Sequence, residues 1–187
     1  MKNKPLRVNE IFYSLQGEGY WTGTPMVFIR LAGCNLKCDF CDTDHSRFTP
    51  MTPRQITDKV MEFPPQHVVI TGGEPSLQPL EELVDLLHEH GRTVHIETNG
   101  TNRLPLSIDW ITCSPKDGGE VVLDRIDELK VVFQNRSVEH MLSQFPRVRN
   151  LFLQPVSGSN IPETVSYILE HPHWRLSLQT HKILDIQ

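Results

Sequence analysis

The chain has 187 residues, 38% of them hydrophobic and 22% charged, with a formal net charge of −5. This is the make-up of one globular domain, 1–187, with room for a real core, and its acidic balance speaks against a nucleic-acid surface. No run approaches the ~20 apolar residues of a membrane span, the basic start Met1–Pro5 lacks the apolar segment of a signal peptide, and clustered free thiols suit a reducing cytosol, so a cytoplasmic protein is expected.

The apolar start Val8–Phe12 leads into Tyr13–Gly19, where two glycines flank Glu18 beside Gln16. That segment reads as a polar loop, and a plain glycine turn is its alternative. Met26–Leu31 is rich in β-formers and carries Arg30. Facing inward, that guanidinium requires an anionic partner; facing outward, it is an ordinary exposed residue. Cys34, Cys38 and Cys41 follow immediately, so the strand ends in thiols.

Thiolates spaced C-x3-C-x2-C can converge on one centre if the backbone curls between them. A structural zinc takes four protein ligands and this loop offers three. Completion by His45 or by Cys113 is the zinc alternative, although Cys113, ending an apolar run, reads as a small core residue. A 4Fe-4S cube held by three cysteines leaves one iron open, which turns the missing ligand into a function.

Further along, Thr52 before Pro53 is a helix N-cap signal, and Ile56, Val60 and Met61 supply the apolar stripe. His67–Thr71 reads as a buried strand stopping at Gly72-Gly73-Glu74-Pro75, followed by a helix over Pro79–His90 closed by Gly91. Strands are expected at Thr93–Thr98, Trp110–Cys113, Leu129–Phe133 and Leu151–Leu153. Short helices are expected at Val138–Gln144 and Pro162–Glu170, and one more strand within Arg175–Lys182. This alternation predicts parallel pairing with right-handed crossovers and ligand sites at the strands' C-terminal ends. Several connections are too short or too proline-rich for a helix. The expected fold is therefore an α/β, incomplete TIM-like barrel of parallel strands with fewer helices than strands, whose exposed sheet edge suits a homodimer.

The cysteine spacing, with the aromatic Phe40 before the third thiol, resembles the radical S-adenosylmethionine (SAM) superfamily. Leu15-Gln16-Gly17-Glu18-Gly19, Arg30, Asp42-Thr43, Thr71-Gly72-Gly73-Glu74-Pro75, Glu97-Thr98-Asn99-Gly100, Ser114-Pro115-Lys116 and Gln179-Thr180-His181-Lys182 together resemble the 7-carboxy-7-deazaguanine synthase family of queuosine biosynthesis. The resemblance implies a carbon–nitrogen lyase that converts 6-carboxy-5,6,7,8-tetrahydropterin to 7-carboxy-7-deazaguanine with loss of ammonia. It also implies reductive cleavage of SAM to a 5′-deoxyadenosyl radical and a low-potential electron donor, flavodoxin-like or other.

Carried over, Cys34, Cys38 and Cys41 would hold the 4Fe-4S cluster, and Thr43 would bind Mg2+, where its plainer role is to cap the following turn. Gly73 would receive the cofactor's amino group through its backbone. Phe40, Cys41 and Asp42 would lie near the adenine, and Ser114, Pro115 and Lys116 along the ribose or carboxylate. Gln154, Pro155, Val156 and Ser157 would close the adenosine site. The pterin and its carboxylate would fall to Leu15, Gln16, Gly17, Glu18, Arg30, Thr71, His181 and the chain-terminal carboxylate of Gln187. Asp117–Asp127 matches no pattern. Two rival readings share the thiol loop: a glycyl-radical activating enzyme acting on a partner protein, and a non-catalytic zinc-binding module.

Overall fold

The computed structural model describes residues 4–44 and 46–187. Met1–Asn3, the start of the basic N-terminus, and His45, a candidate zinc ligand, lie outside the described residues. The elements run β1 (Leu6–Leu15), β2 (Pro25–Leu31), β3 (Thr49–Met51), α1 (Pro53–Val60), β4 (His67–Gly72), α2 (Glu81–Glu89), β5 (Thr93–Thr98) and β6 (Trp110–Cys113). They continue with β7 (Glu128–Phe133), α3 (His140–Gln144), β8 (Asn150–Pro155), α4 (Ile161–Glu170), β9 (Arg175–Leu176) and α5 (Thr180–Leu184).

All the strands join one sheet in the order β3-β1-β2-β4-β5-β6-β7-β8-β9, parallel from β2 to β9. The sheet is open and has fewer helices than strands, as expected. The connections β5–β6 and β6–β7 carry no helix at all. The expectation of uniformly parallel pairing fails at one end, where β1 lies antiparallel to both β2 and β3. The reason is that residues 13–15, read as loop, continue β1 as strand and return to β2 through the short connection 16–24, too short for a crossover. The C-terminal tail also departs from expectation: only Arg175–Leu176 pairs, and Thr180–Leu184 turns into helix. The second helix is shorter than expected, because Leu80 is its N-cap.

Strand alternation sorts the residues into two faces. Outward, Val27, Ile29, Val68, Ile70, Val94 and Ile96 pack against Ile56, Val60, Leu83 and Leu87 of α1 and α2. A second cluster joins Leu129, Val131, Leu151 and Leu153 to Tyr167 and Ile168 of α4. α1 forms where it does because Thr52 and Gln55 make a reciprocal capping box ahead of Pro53. Inward, many of the intervening positions are polar, among them Arg30, Thr71, Glu97, Lys130 and Gln154, while Met26, Phe28 and Val69 form a smaller apolar cluster with Phe12 and Trp21.

The connection 16–24 plugs the sheet's concave side. Gly19 donates its amide to Ser177 Oγ (2.9 Å) and Tyr20 donates to Glu128 Oε2 (3.1 Å). Trp21 packs on His67, His95 and Trp110 with ring centroids 5.1, 5.1 and 5.5 Å away, filling the end where the strands begin. Burial and the neighbouring His67 push His95 down to about 4, so the His95 ring packs here uncharged at ordinary pH. Gly19 is required there: its φ is +67°, and a Cβ would stand 1.9 Å from Glu128 Oε1. Among the described residues, no helix is long and apolar enough to cross a membrane.

Candidate active site

A cavity of about 620 Å³ opens at the C-terminal ends of the parallel strands. Every residue to which the family resemblance gave a cluster, metal, cofactor or substrate role lines it except Pro115. The cysteine loop forms one wall. It leaves β2 without regular structure and is turned by the Cys41 amide donating to Cys38 O (3.0 Å). All three thiols are unpaired and face the cavity, and the Leu36 amide points at Cys34 Sγ (3.5 Å).

Gly73 lies directly behind that wall. A Cβ on it would come within 2.2 Å of Gly33 O and 3.0 Å of Cys34 Cβ, so only glycine lets the two loops meet with their amides and carbonyls exposed. Among the described residues, no group of three His, Cys, Asp or Glu could hold a metal ion. Three thiols on one cavity wall match the donor set of a cube with one open iron, whereas a closed structural zinc site takes four protein ligands. Cys113, the other candidate fourth ligand, is fully buried away from the cavity, and burial pushes its thiol up to about 12.

The floor is ionic. Lys130 Nζ contacts Glu18 Oε2 and lies 3.6 Å from Glu97 Oε1, with the Lys130 side chain 7% exposed. Burial alone would push Lys130 below the lysine range, but Glu18, Glu97 and Glu128 outweigh it and hold it above. Burial likewise works against ionised Glu18, and Lys130 with Gln179 reverses that, keeping its carboxyl below the usual range. Glu18 also accepts from Gln154 Nε2 (3.1 Å) and Gln179 Nε2 (3.0 Å), so its oxygens are committed to the protein. Glu97 is the more open carboxylate, accepting from Gln16 Nε2 (3.0 Å) and Thr71 Oγ1 (3.2 Å). Sequence reasoning gave no role to Glu97, Lys130, Gln179 or Lys182. Lys130 was readable only as a charge at an inward position of an otherwise apolar strand.

Arg30 faces inward. Its Nε donates to Glu10 Oε1 (2.7 Å) on the neighbouring antiparallel strand, so its required anion is in the first instance the protein's own. Its terminal nitrogens make no bond among the described residues. Gln187 reaches the same place, donating to Glu10 Oε2 (2.8 Å). Thr43 Oγ1 lies 3.4 Å from Asp42 Oδ1, and it is Asp44 Oδ1 that accepts from the Ser46 amide (3.0 Å).

On the opposite wall, Lys116 donates to Ser114 O (2.8 Å) and contacts its hydroxyl. Burial and the nearby Lys130 push this ammonium below its ordinary range. Val156 and Ser157 turn there in a short 3-10 segment pinned by Asn160 Oδ1 on the Val156 amide (2.8 Å).

The tail closes the top. Thr180 donates its amide and hydroxyl to Gly17 O (2.9 Å each), and Lys182 Nζ pairs with Asp42 Oδ2 (2.5 Å). Gln179 Nε2 spans from Glu18 on the floor to Asp42 in the cysteine loop (3.2 Å). The previously unassigned Asp117–Asp127 stretch packs outside, with Asp117 paired to the exposed Arg136 (2.5 Å).

A sequence model described as the radical SAM superfamily matches residues 28–134. A Bacteroides thetaiotaomicron protein named 7-carboxy-7-deazaguanine synthase is 54% identical over 181 residues, covering 97% of this chain and 98% of its own. A Bradyrhizobium diazoefficiens protein of the same name is 38% identical, covering 96% and 98%. Among solved structures, that of QueE from Escherichia coli superposes with a TM-score of 0.79 at 29% identity, covering 93% of each chain.

Proposed function

Since the chain belongs to the 7-carboxy-7-deazaguanine synthase family within the radical SAM superfamily, we propose that it converts 6-carboxy-5,6,7,8-tetrahydropterin to 7-carboxy-7-deazaguanine with loss of ammonia, in queuosine biosynthesis. The observation that carries this reading is the meeting, in one cavity at the strands' C-terminal ends, of three free thiols, a glycine-lined wall and an ionic floor. The whole chain, 1–187, is taken as a single radical SAM core.

In this reading Cys34, Cys38 and Cys41 hold a 4Fe-4S cluster, and cluster and SAM together supply a 5′-deoxyadenosyl radical when bound. Gly73 offers backbone groups to the cofactor's amino end, and Phe40 and Asp42 border its adenine. Ser114, Pro115 and Lys116 follow its ribose or carboxylate, and Gln154, Pro155, Val156 and Ser157 complete that side. Pro115 has the weakest claim, since it does not line the cavity.

Arg30 has free guanidinium nitrogens for the pterin carboxylate, while Glu10 fixes its orientation through Nε. Leu15, Gln16, Gly17, Thr71, His181 and Gln187 border the pterin. Glu18, with its oxygens already bonded, serves that pocket by holding Lys130 and Gln179 in place. The tail over the opening excludes water from the reacting carbon. Thr43 is the proposed protein ligand of Mg2+, an ion that keeps waters and borrows oxygens from its substrate. A flavodoxin-like or other low-potential donor supplies the electron, the edge strand β9 suits a homodimer, and the free thiols suit the cytoplasm.

The test is anaerobic reconstitution followed by incubation with reductant, SAM and the carboxypterin, with mass detection of the deazaguanine acid. Competent SAM cleavage without that product would favour the activating-enzyme reading. Stoichiometric zinc in a colourless protein that takes up no cluster would favour the binding module.

A further inference from the structure

We propose that Asn35 and Asn99 form a clasp that positions the cysteine loop, making both of them positioning residues for the cluster. The proposal rests on the reading of Cys34, Cys38 and Cys41 as cluster ligands. Asn35 stands next to Cys34. Its Oδ1 accepts from Asn99 Nδ2 (3.0 Å), and its Nδ2 donates to Thr101 Oγ1 (2.8 Å). Thr101 closes the ring by donating its amide (3.0 Å) and hydroxyl (2.8 Å) to Asn99 Oδ1. Each amide thus uses both its donor and its acceptor, which fixes its orientation.

The ring is anchored in the interior. Asn99 is 8% exposed, and its backbone amide donates to Glu74 Oε2 (2.6 Å). Glu74, fully buried, takes on its other oxygen the Thr98 hydroxyl (2.7 Å), the Ser76 amide (3.0 Å) and the Ser76 hydroxyl (2.5 Å). A buried carboxylate met by several donors is a rigid post, because releasing any one of them leaves charge uncompensated. The same segment is stitched to the residue before Cys34 by the Glu74 amide on Gly33 O (2.8 Å). Cys34 therefore lies between two ties, one through Gly33 and one through Asn35, in a loop that otherwise has no regular structure. Its sulfur also faces the Leu36 amide, on the far side of Asn35, and hydrogen bonds to ligand sulfur are one lever on a cluster's potential.

The test uses Asn35→Ala, Asn99→Ala and the double variant in the full chain, reconstituted anaerobically without substrate. Chelator-driven bleaching of the cluster and the electron paramagnetic resonance signal of its reduced form are compared with melting of the metal-free proteins. Each single variant is expected to bleach roughly tenfold faster than the parent and to shift the reduced-cluster signal. The double variant should bleach no faster than the worse single, because the two amides act as one unit. Metal-free melting of the exposed Asn35→Ala variant should stay at the parent value.

Parent-like bleaching and signal in both singles would overturn the clasp. So would independent, additive effects, or a fall in metal-free melting that accounts for the loss. Asn35 is exposed, so its variant decides the matter alone if Asn99→Ala does not fold. A parent protein that takes up no cluster would overturn the functional reading itself, an outcome distinct from equal lability in parent and variants.

Discussion

Lys130 is the residue whose removal reaches furthest. Lys130→Met leaves Glu18 buried with its charge unopposed, and breaking a buried pair from one side costs about 3 to 5 kcal/mol. The pH dependence follows from the shifts. Glu18 is depressed, so its contribution is complete above the ordinary carboxyl range and is lost as pH falls through its folded value. Lys130 is raised, so its contribution is complete below the lysine range and is lost only as pH rises through its folded value. Denaturant unfolding should show the difference between variant and parent at pH 7, narrowing as pH falls into and below the ordinary carboxyl range, because the unopposed Glu18 of the variant takes up a proton before that of the parent does. Arg30→Met should weaken the carboxypterin by roughly tenfold to a hundredfold while leaving cluster assembly intact, since charge-assisted bonds contribute about 1.5 to 3 kcal/mol. Equilibrium binding to the reconstituted protein checks it; unchanged affinity would return Arg30 to a partner of Glu10 alone. The thiols and Arg30 were legible because a charge or a close triplet of cysteines stands out in any local window. Glu97 and Lys130 were not, because they act across three strands and their meaning lies in register.

At the scale of elements, α1 was legible from Thr52 and Pro53 because a capping box is local chemistry. Thr52→Ala should cost about 1 kcal/mol, read as a lower denaturation midpoint at constant slope. The antiparallel β1 and the helical tail were illegible for the opposite reason. Nothing near Tyr13–Leu15 reveals that β2 pairs along its flank, and Thr180–Leu184 is a short helix whose carbonyl anchor, Gly17, is far away in sequence. Ending the chain after Arg175–Leu176 and Ser177-Leu178 removes those ties without touching either apolar cluster. The shortened protein should keep its far-ultraviolet circular dichroism and bind a cluster, yet lose carboxypterin binding. A collapse of secondary structure would show that the tail stabilises the barrel itself.

In the whole molecule the two apolar clusters on the helix-covered face lie on either side of the β6–β7 seam, where only Thr112↔Glu128 and Cys113↔Leu129 pair and no helix crosses outside. Lys130 with Glu97 and the plug around Tyr20 and Trp110 bridge that seam from within. Native-state hydrogen exchange should therefore find β6 opening before β4 or β8; equal protection would show the ionic floor is as strong a tie as a full ladder. The plug carries one more consequence. With Trp21 seated among His67, His95 and Trp110, the strands' starting end gives no passage, and all traffic uses the doorway beneath the tail. For the reaction proposed above, substrate and product then share one threshold, at which the Lys182–Asp42 pair stands.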